Sequence, residues 1–361
     1  MTATHAERVA MERALMLAAA ADAPPGPNPR VGCVLLDAQG ATIAEGSHRG
    51  AGTPHAEADA LERARGGARG ATAVVTLEPC NHTGRTGPCV QALVDAGVSR
   101  VVYAQDDPNP VASGGAQTLR AAGIDVVGGV LADEAGRLNR AWSFAVRRGR
   151  PFVTWKLATT LDGRSAALDG SSRWVSSRAA RADTHRLRAV CDVVLVGTNT
   201  VAVDDPQLTV RDAAGGPLPY QPLRVVMGER ALPADRRVFD GHAETLHLRT
   251  RDPQVALAEL HRRERRHVFL EGGPTLAAAF LRAGLVDEVV AYVAPVLLGS
   301  GLAAVGDLGI PTIAEALRLP VTDVTVLEPL DAEDETNVRL TLEGPGISDR
   351  PAEIRPIERR A

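Results

Sequence analysis

A five-residue run, Arg147-Arg148-Gly149-Arg150-Pro151, constrains this chain more than any other feature. Its three arginines resist burial, its glycine weakens a helix and its proline ends one, so neither a helix nor a strand runs through it. Strand and helix patterns alternate on both sides, and the second series starts afresh at Phe152. The chain is therefore expected to divide into two α/β units, 1–147 and 148–343, rather than to build one continuous sheet. A length of 361 residues, roughly two to three times a usual domain, agrees with this. Residues 344–361 mix Pro, Gly and charges without periodicity and read as a mobile tail.

In the first unit a helix is expected over about 4–20, stopped before Pro24-Pro25. Segments 31–37 and 41–46 read as a strand pair turned at Gln39-Gly40. There follow a helix over about 54–65, a buried strand at 72–77, a helix from Pro88 to Gly97 and a strand at 100–104. A helix ending at Gly123, a strand at 124–127 and a helix at 131–147 complete the unit. In the second unit strands are expected near 152–158, 192–197, 223–227, 245–248, 267–271, 287–293, 324–328 and 337–343. Helices are expected near 177–189, 253–263 and 274–283.

Apolar residues make up 45% and aromatics only 3%, so both cores are aliphatic. The formal net charge of −4 argues against a general nucleic-acid binder, whose affinity rests on neutralising phosphates. No apolar run approaches the ~18 residues of a membrane span. The alanine-rich N-terminal segment carries Glu7, Arg8, Glu12 and Arg13 and reads as an amphipathic helix, not a signal peptide. Four cysteines in this length are too few for a disulfide framework, so a cytoplasmic protein is expected.

The chemistry is concentrated in His55-Ala56-Glu57, Pro79-Cys80 and Pro88-Cys89. One imidazole and two thiolates form a three-ligand zinc set that leaves the fourth tetrahedral position for water. Zinc lowers the pKa of such a water from about 15.7 towards ~7, and a carboxylate beside it can carry the proton to a ring nitrogen and a leaving amine. Glu57, two residues from His55, does not share its helix face, so the metal must sit off the helix start. Thr53 as N-cap and Pro54 at the first position would place His55 there, and Pro79 and Pro88 would do the same for the cysteines. Taken singly, each residue has an ordinary structural explanation. Together they follow the H-x-E…P-C…C order of zinc deaminases, with eight residues instead of two between the cysteines. No fourth protein ligand is evident, which favours a catalytic over a structural metal. Cys33 and Cys191 lie in apolar runs and read as core.

The segments PNPRVGCV (27–34), HAEADAL (55–61), TLEPCNHTGRTGPC (76–89) and DDPNP (106–110) resemble the deaminase domain of the bifunctional riboflavin-biosynthesis deaminase/reductase family. In that family the long cysteine spacing is the norm. KLATTLDGR (156–164), SRWVSS (172–177), GTNTVAVDDPQLTVR (197–211), EGGPTLAAAFL (271–281) and VDEVVAYVAPVLLG (286–299) resemble its reductase domain. The resemblance spans about residues 5–343. It implies a cytidine-deaminase-like zinc domain, a mixed sheet flanked by helices, followed by a dihydrofolate-reductase-like α/β domain. It also implies two consecutive reactions. The first is hydrolytic deamination of 2,5-diamino-6-ribosylamino-4(3H)-pyrimidinone 5′-phosphate. The second is reduction by NADPH of the ribosyl group of the product to ribityl.

Carried over residue by residue, the resemblance makes His55, Cys80 and Cys89 the ligands of one Zn2+ per chain and Glu57 the proton shuttle. Asn28 would contact the base, and His82 and Arg85 the substrate phosphate. In the reductase half Ala158, Trp174, Thr200, Asp204 and the segment Gly273, Pro274, Thr275, Leu276, Ala277, Ala278 and Ala279 match cofactor contacts. Ser172, Arg188, Leu208, Arg211 and Glu271 match substrate contacts, and the two arginines suit a phosphate monoester. Lys156 could assist proton transfer or form a salt bridge. There is no G-x-G-x-x-G, so the cofactor site would rest on the strand–Gly-Gly–helix start at 267–275, where free N–H groups can meet a phosphate. The stretch VVMGER (225–230) departs from the family, which has Asp-Ser after this strand. The expected partner is a small phosphorylated pyrimidine, with no nucleic acid and no membrane, in a homo-oligomer. The competing reading is a nucleoside or tRNA base deaminase with a non-catalytic second domain; the net acidity and the paired arginines weigh against it.

Overall fold

The computed structural model describes residues 2–20, 26–83, 87–212 and 215–347. The chain falls into two compact units that meet between Gly149 and Arg150. Pro24-Pro25, Arg85 and the segment 348–361 lie outside the described residues.

The first unit runs α1 (His5–Ala20), β1 (Gly32–Leu36), β2 (Thr42–Ser47), α2 (Ala56–Arg63), β3 (Thr72–Leu77), α3 (Cys89–Asp95), β4 (Arg100–Gln105), α4 (Gly115–Ala121), β5 (Asp125–Val127), α5 (Ala132–Leu138) and α6 (Arg140–Arg148). Its sheet has the order β2-β1-β3-β4-β5, with β1 antiparallel to both neighbours and β3, β4 and β5 parallel. The central strands β1, β3 and β4 are buried on both faces, and their side chains part with period two. Cys33, Leu35, Val75, Val101 and Tyr103 pack with Ala56, Ala60, Leu93 and Leu119 of α2, α3 and α4. Val34, Leu36, Val74 and Val102 pack with Met11 and Ala14 of α1 and Ala135 of α5.

Two glycines set how closely this layer approaches the sheet. A Cβ at Gly46 on β2 would lie 2.3 Å from the Ala56 carbonyl oxygen and 2.5 Å from the Ala60 nitrogen. One at Gly115 would lie 1.9 Å from the Pro79 carbonyl oxygen. Helix α2 thus rests directly on strand backbone. The helix expected at 131–147 is instead two. They break at Asn139, whose buried amide accepts from the Arg30 N–H (2.8 Å) and donates to the Arg30 carbonyl (2.9 Å).

The second unit runs β6 (Phe152–Thr160), β7 (Arg164–Ala166), α7 (Arg178–Ala189), β8 (Val193–Gly197), α8 (Thr198–Asp204), β9 (Leu223–Met227), β10 (Thr245–Leu248), α9 (Pro253–Arg262), β11 (His267–Leu270), α10 (Pro274–Arg282), β12 (Glu288–Ala294), β13 (Leu302–Ala303), β14 (Val321–Leu327) and β15 (Asn337–Glu343). Eight strands form one sheet in the order β10-β9-β8-β11-β6-β12-β15-β14; the first six are parallel and the last two antiparallel. α8, β7 and β13 were not expected from the sequence.

The breaker segment is not wholly exposed. Arg150 makes a two-pronged bond at 2.7 Å to Asp287, which is fully buried and also accepts from the Val153 N–H. The start of the expected tail is also fixed: the Gly344 and Gly346 N–H groups donate to the carbonyls of Asp287 and Val286. Among the described residues no helix is long and apolar enough to cross a membrane.

Candidate functional site

In the first unit His55, Cys80 and Cys89 converge, their donor atoms all within 4.8 Å of one another. His55 Nδ1 lies 3.2 Å from Cys89 Sγ and 3.6 Å from Cys80 Sγ. The route to this arrangement differs from the expectation. His55 is itself the N-cap of α2, with φ −68° and ψ 161°, and Thr53 turns its hydroxyl to the Gly50 carbonyl instead of capping. Pro88 is the N-cap of α3 and Cys89 its first residue, whereas Cys80 follows β3 in a loop with no helix behind it. The Cys89 N–H points at Cys80 Sγ, 3.4 Å away. The Cys89 thiol first, then the His55 ring and that contact, hold the Cys80 thiol well below its ordinary range. Two soft sulfurs and an imidazole at this spacing suit zinc. Glu57, only 4% exposed, stands beside Cys89, and burial pushes its carboxyl up to about 7. Cys33 is buried in β1 outside the cluster.

Asn28 is placed by a residue the sequence did not single out. His48 Nδ1 lies 2.9 Å from the Pro54 carbonyl, which can only accept, so that nitrogen carries the proton. Nε2 therefore accepts from Asn28 Nδ2 at 2.9 Å, a bond that does not use the Asn28 side-chain oxygen. The His48 ring stands edge-on to His55, with centroids 5.3 Å apart. His48 follows strand β2 and carries no motif; only the fold brings it here. His82 is half-buried, and among the described residues its Nδ1 has no hydrogen-bond partner.

In the second unit the loops after β8, β9, β6 and β11 leave the same, carboxyl edge of the parallel strands, where ligands of such sheets bind. Glu271, directly after β11, takes a bidentate bond from Arg188 at the end of α7, with Nη2 to Oε2 at 2.7 Å. Half-buried Lys156 and His185 are close enough to feel both charges; desolvation lowers each of their pKa values. His185 was missed, although it lies three residues before Arg188 on the same face of α7. Arg188 Nη1 also donates to the Thr209 carbonyl at 3.2 Å, and Arg211 Nε to the Thr209 hydroxyl at 3.3 Å. Leu208 has φ 54° and a buried side chain, so only its backbone can face a ligand. Ser172 is exposed, and among the described residues makes no hydrogen bond to this group.

For the cofactor contacts, Gly273 is the N-cap of α10, and a Cβ there would meet nothing within 4 Å. A Cβ at Gly272 would strike Leu276 at 2.5 Å. Close packing therefore needs Gly272, while open space lies over Gly273 and the exposed Thr275, as a bound phosphate requires. Ala277 and Ala278 are buried in the core, and Pro274, Leu276 and Ala279 carry no polar side chain, so apart from the exposed Thr275 hydroxyl this segment can offer only backbone. Ala158 lies on β6, and Thr200 and Asp204 on α8. The Asp204 carbonyl takes a 3.0 Å bond from Arg173. Trp174 is 67% exposed beneath the Arg181 guanidinium, 4.4 Å from its ring centre.

Residues 4–105 match the model of the cytidine and deoxycytidylate deaminase zinc-binding region, and residues 151–329 that of the RibD C-terminal domain. The riboflavin biosynthesis protein RibD of Mycobacterium tuberculosis is 53% identical over 305 residues, covering 84% of this chain and 89% of that protein. The chain belongs to the RibD family. The Escherichia coli member is 39% identical over 354 residues, covering 88% of this chain and 96% of that protein. The Acinetobacter baumannii RibD structure superposes with a TM-score of 0.84 at 37% identity, covering 94% of this chain and 99% of the other. Membership of the RibD family makes the protein a bifunctional enzyme of riboflavin biosynthesis. It has a zinc-dependent deaminase domain and an NADPH-dependent reductase domain.

Proposed function

We propose that the first domain deaminates 2,5-diamino-6-ribosylamino-4(3H)-pyrimidinone 5′-phosphate and that the second reduces the ribosyl group of 5-amino-6-(5-phosphoribosylamino)uracil to ribityl. The reading is supported by a Thermotoga maritima structure described as the corresponding deaminase/reductase, at 32% identity and TM-score 0.82. The observation that carries it is the buried Glu57 carboxyl beside the His55, Cys80 and Cys89 donors.

His55, Cys80 and Cys89 would hold the zinc, which when bound activates a water as a Lewis acid. Glu57 would take one proton of the attacking water and pass it to the ring nitrogen, then take the second from the resulting hydroxyl and pass it to the departing amine, which leaves as ammonia. Its burial suits this, because a carboxyl raised towards neutrality both accepts and donates near pH 7. Asn28, pinned through its amide nitrogen by His48, presents its oxygen to an N–H of the pyrimidine. His82 and Arg85 would meet the phosphate. In the reductase, NADPH supplies the hydride when bound, and the protein holds the reacting carbons in register. Gly273 and Thr275 would receive its phosphates on backbone N–H groups, with Ala158, Trp174, Thr200 and Asp204 around the rest. Ser172, Arg188, Leu208, Arg211 and Glu271 would bind the sugar phosphate, with Lys156 beside Glu271 for proton transfer.

Incubation of the purified chain with the diamino substrate, with and without NADPH, followed by mass analysis, tests the assignment. Loss of ammonia without NADPH and a further gain of two hydrogens with it are expected. Deamination of cytidine or tRNA in its place would transfer the chain to the competing class.

Two glycine variants separate fold from cofactor. Gly273→Val should weaken NADPH about tenfold or more in a titration while the protein melts normally and still deaminates. Gly272→Ala should lower the melting temperature, because its Cβ has no room. Unchanged NADPH affinity in folded Gly273→Val would remove the helix start from the cofactor site.

The domains should also function apart: a chain ending at Gly149 should deaminate and one starting at Arg150 should reduce. If neither fragment folds, the division is misplaced. A cytoplasmic homo-oligomer fits the sparse cysteines and the exposed Val321, Val324 and Val326 of edge strand β14, a face that a second copy could cover. Sedimentation returning a monomer at micromolar concentration would discard the oligomer.

A further inference from the structure

The two arginines read as substrate contacts are held very differently. Arg188 is paired with a carboxylate, Glu271, through two parallel bonds, so its charge is largely offset. Arg211 is held only by neutral oxygens: the Thr209 hydroxyl and the side-chain carbonyl of Gln207. Among the described residues it has no carboxylate partner. It therefore keeps its full charge for a ligand.

Gln207 is itself tightly fixed. Its Nε2 donates to Asp240 Oδ2 at 2.6 Å. A carboxylate can only accept and a guanidinium only donate, so the amide has one workable orientation: nitrogen to Asp240, oxygen to Arg211. Asp240 is anchored by Arg224, the largest fully buried side chain among the described residues. Arg224 Nη1 reaches Asp240 Oδ1 at 2.8 Å and the Gln207 carbonyl at 3.1 Å, and Nη2 reaches the Asp240 carbonyl at 2.7 Å. The chain of contacts runs from the interior of β9 to the exposed Arg211 guanidinium without a break. A buried cation stabilising a carboxylate that in turn orders one surface amide is an arrangement for positioning, and an amide positions a cation without neutralising it.

We propose that Gln207, ordered by the Arg224–Asp240 pair, is a positioning residue that aims Arg211 and leaves its charge available, so setting the affinity of the reductase for the 5′-phosphate of its substrate. This rests on the reading of Arg211 as a phosphate contact. Gln207→Met removes the aim; Gln207→Glu would pair with Arg211 and offset its charge.

The test is steady-state reduction by the full-length enzyme. The deaminated substrate is supplied both as the 5′-phosphate and as its dephosphorylated form. Both variants should raise KM for the phosphate about tenfold, the size expected for loss of one charge-assisted hydrogen bond. They should leave kcat within about twofold, NADPH affinity unchanged and KM for the dephosphorylated form unchanged. Arg211→Ala should raise the same KM, and Arg211→Ala with Gln207→Met should be no worse than Arg211→Ala alone. If Arg211→Ala leaves KM unchanged, the phosphate reading of Arg211 falls. If it raises KM while folded Gln207→Met does not, the positioning role falls alone. Equal losses for both substrate forms, or additive effects in the double variant, would make Gln207 structural or independent and overturn the proposal. Should Gln207→Met fail to fold, Gln207→Asn, one methylene short of Arg211, is read by the same criteria.

Discussion

Glu57→Gln is expected to lower the deamination rate by about a thousandfold or more, within the range lost when a general acid–base group is removed. The amide has nearly the shape of the carboxyl but can neither take a proton from water nor return one to ammonia. Because Glu57 lies beside the His55, Cys80 and Cys89 cluster without belonging to it, zinc content should stay at one per chain. Reduction of supplied deaminated substrate should proceed at the parent rate, since that chemistry belongs to the other domain. Metal analysis and the two separate assays on one preparation check all three statements. Loss of zinc from the variant would show that Glu57 serves the metal itself.

Cys80→Ser and Cys89→Ser should each lose zinc and with it essentially all deamination. A serine hydroxyl stays protonated where a thiolate would coordinate, and two protein ligands do not retain the metal. Cys33→Ser and Cys191→Ala should keep it. Cys33 is buried in β1 with its thiol pushed up by burial, and Cys191 lies beside His267 in the other unit, 3.5 Å from its Nδ1. Zinc content measured on the four purified variants distinguishes the sets. Stoichiometric metal in either of the first two would mean the ligands are wrongly assigned.

The central strands were legible because they are short aliphatic runs buried on both faces, as at Thr72–Leu77 and Val193–Gly197. The zinc cluster was legible because each ligand carries its own local neighbour. What the sequence concealed depends on distant partners. Thr198–Asp204 is rich in β-branched residues, and its helix forms against the β8 and β9 strands rather than from local preference. The break at Asn139 depends on Arg30, 109 residues away. His48 acquires its role only when Asn28 and Pro54 meet it, and Gln207 only when Asp240 closes on it. Thr53 and Pro54 resembled a helix start two residues too early, because His55 takes the extended cap conformation itself.

At Gly46 the helix that begins behind His55 touches the sheet backbone to backbone, with no layer of side chains between. The seat of the metal ligand and of Glu57 is thus machined into main chain, and main chain has no rotamers to choose from. An engineer who wished to slide this carboxylate by half an ångström towards a different ring could not do so by resizing a core residue beneath it. The adjustable parts are the turn before the helix, 48–54, and the loop that carries Cys80. Libraries aimed at new amine substrates should be placed there, and Gly46 left alone.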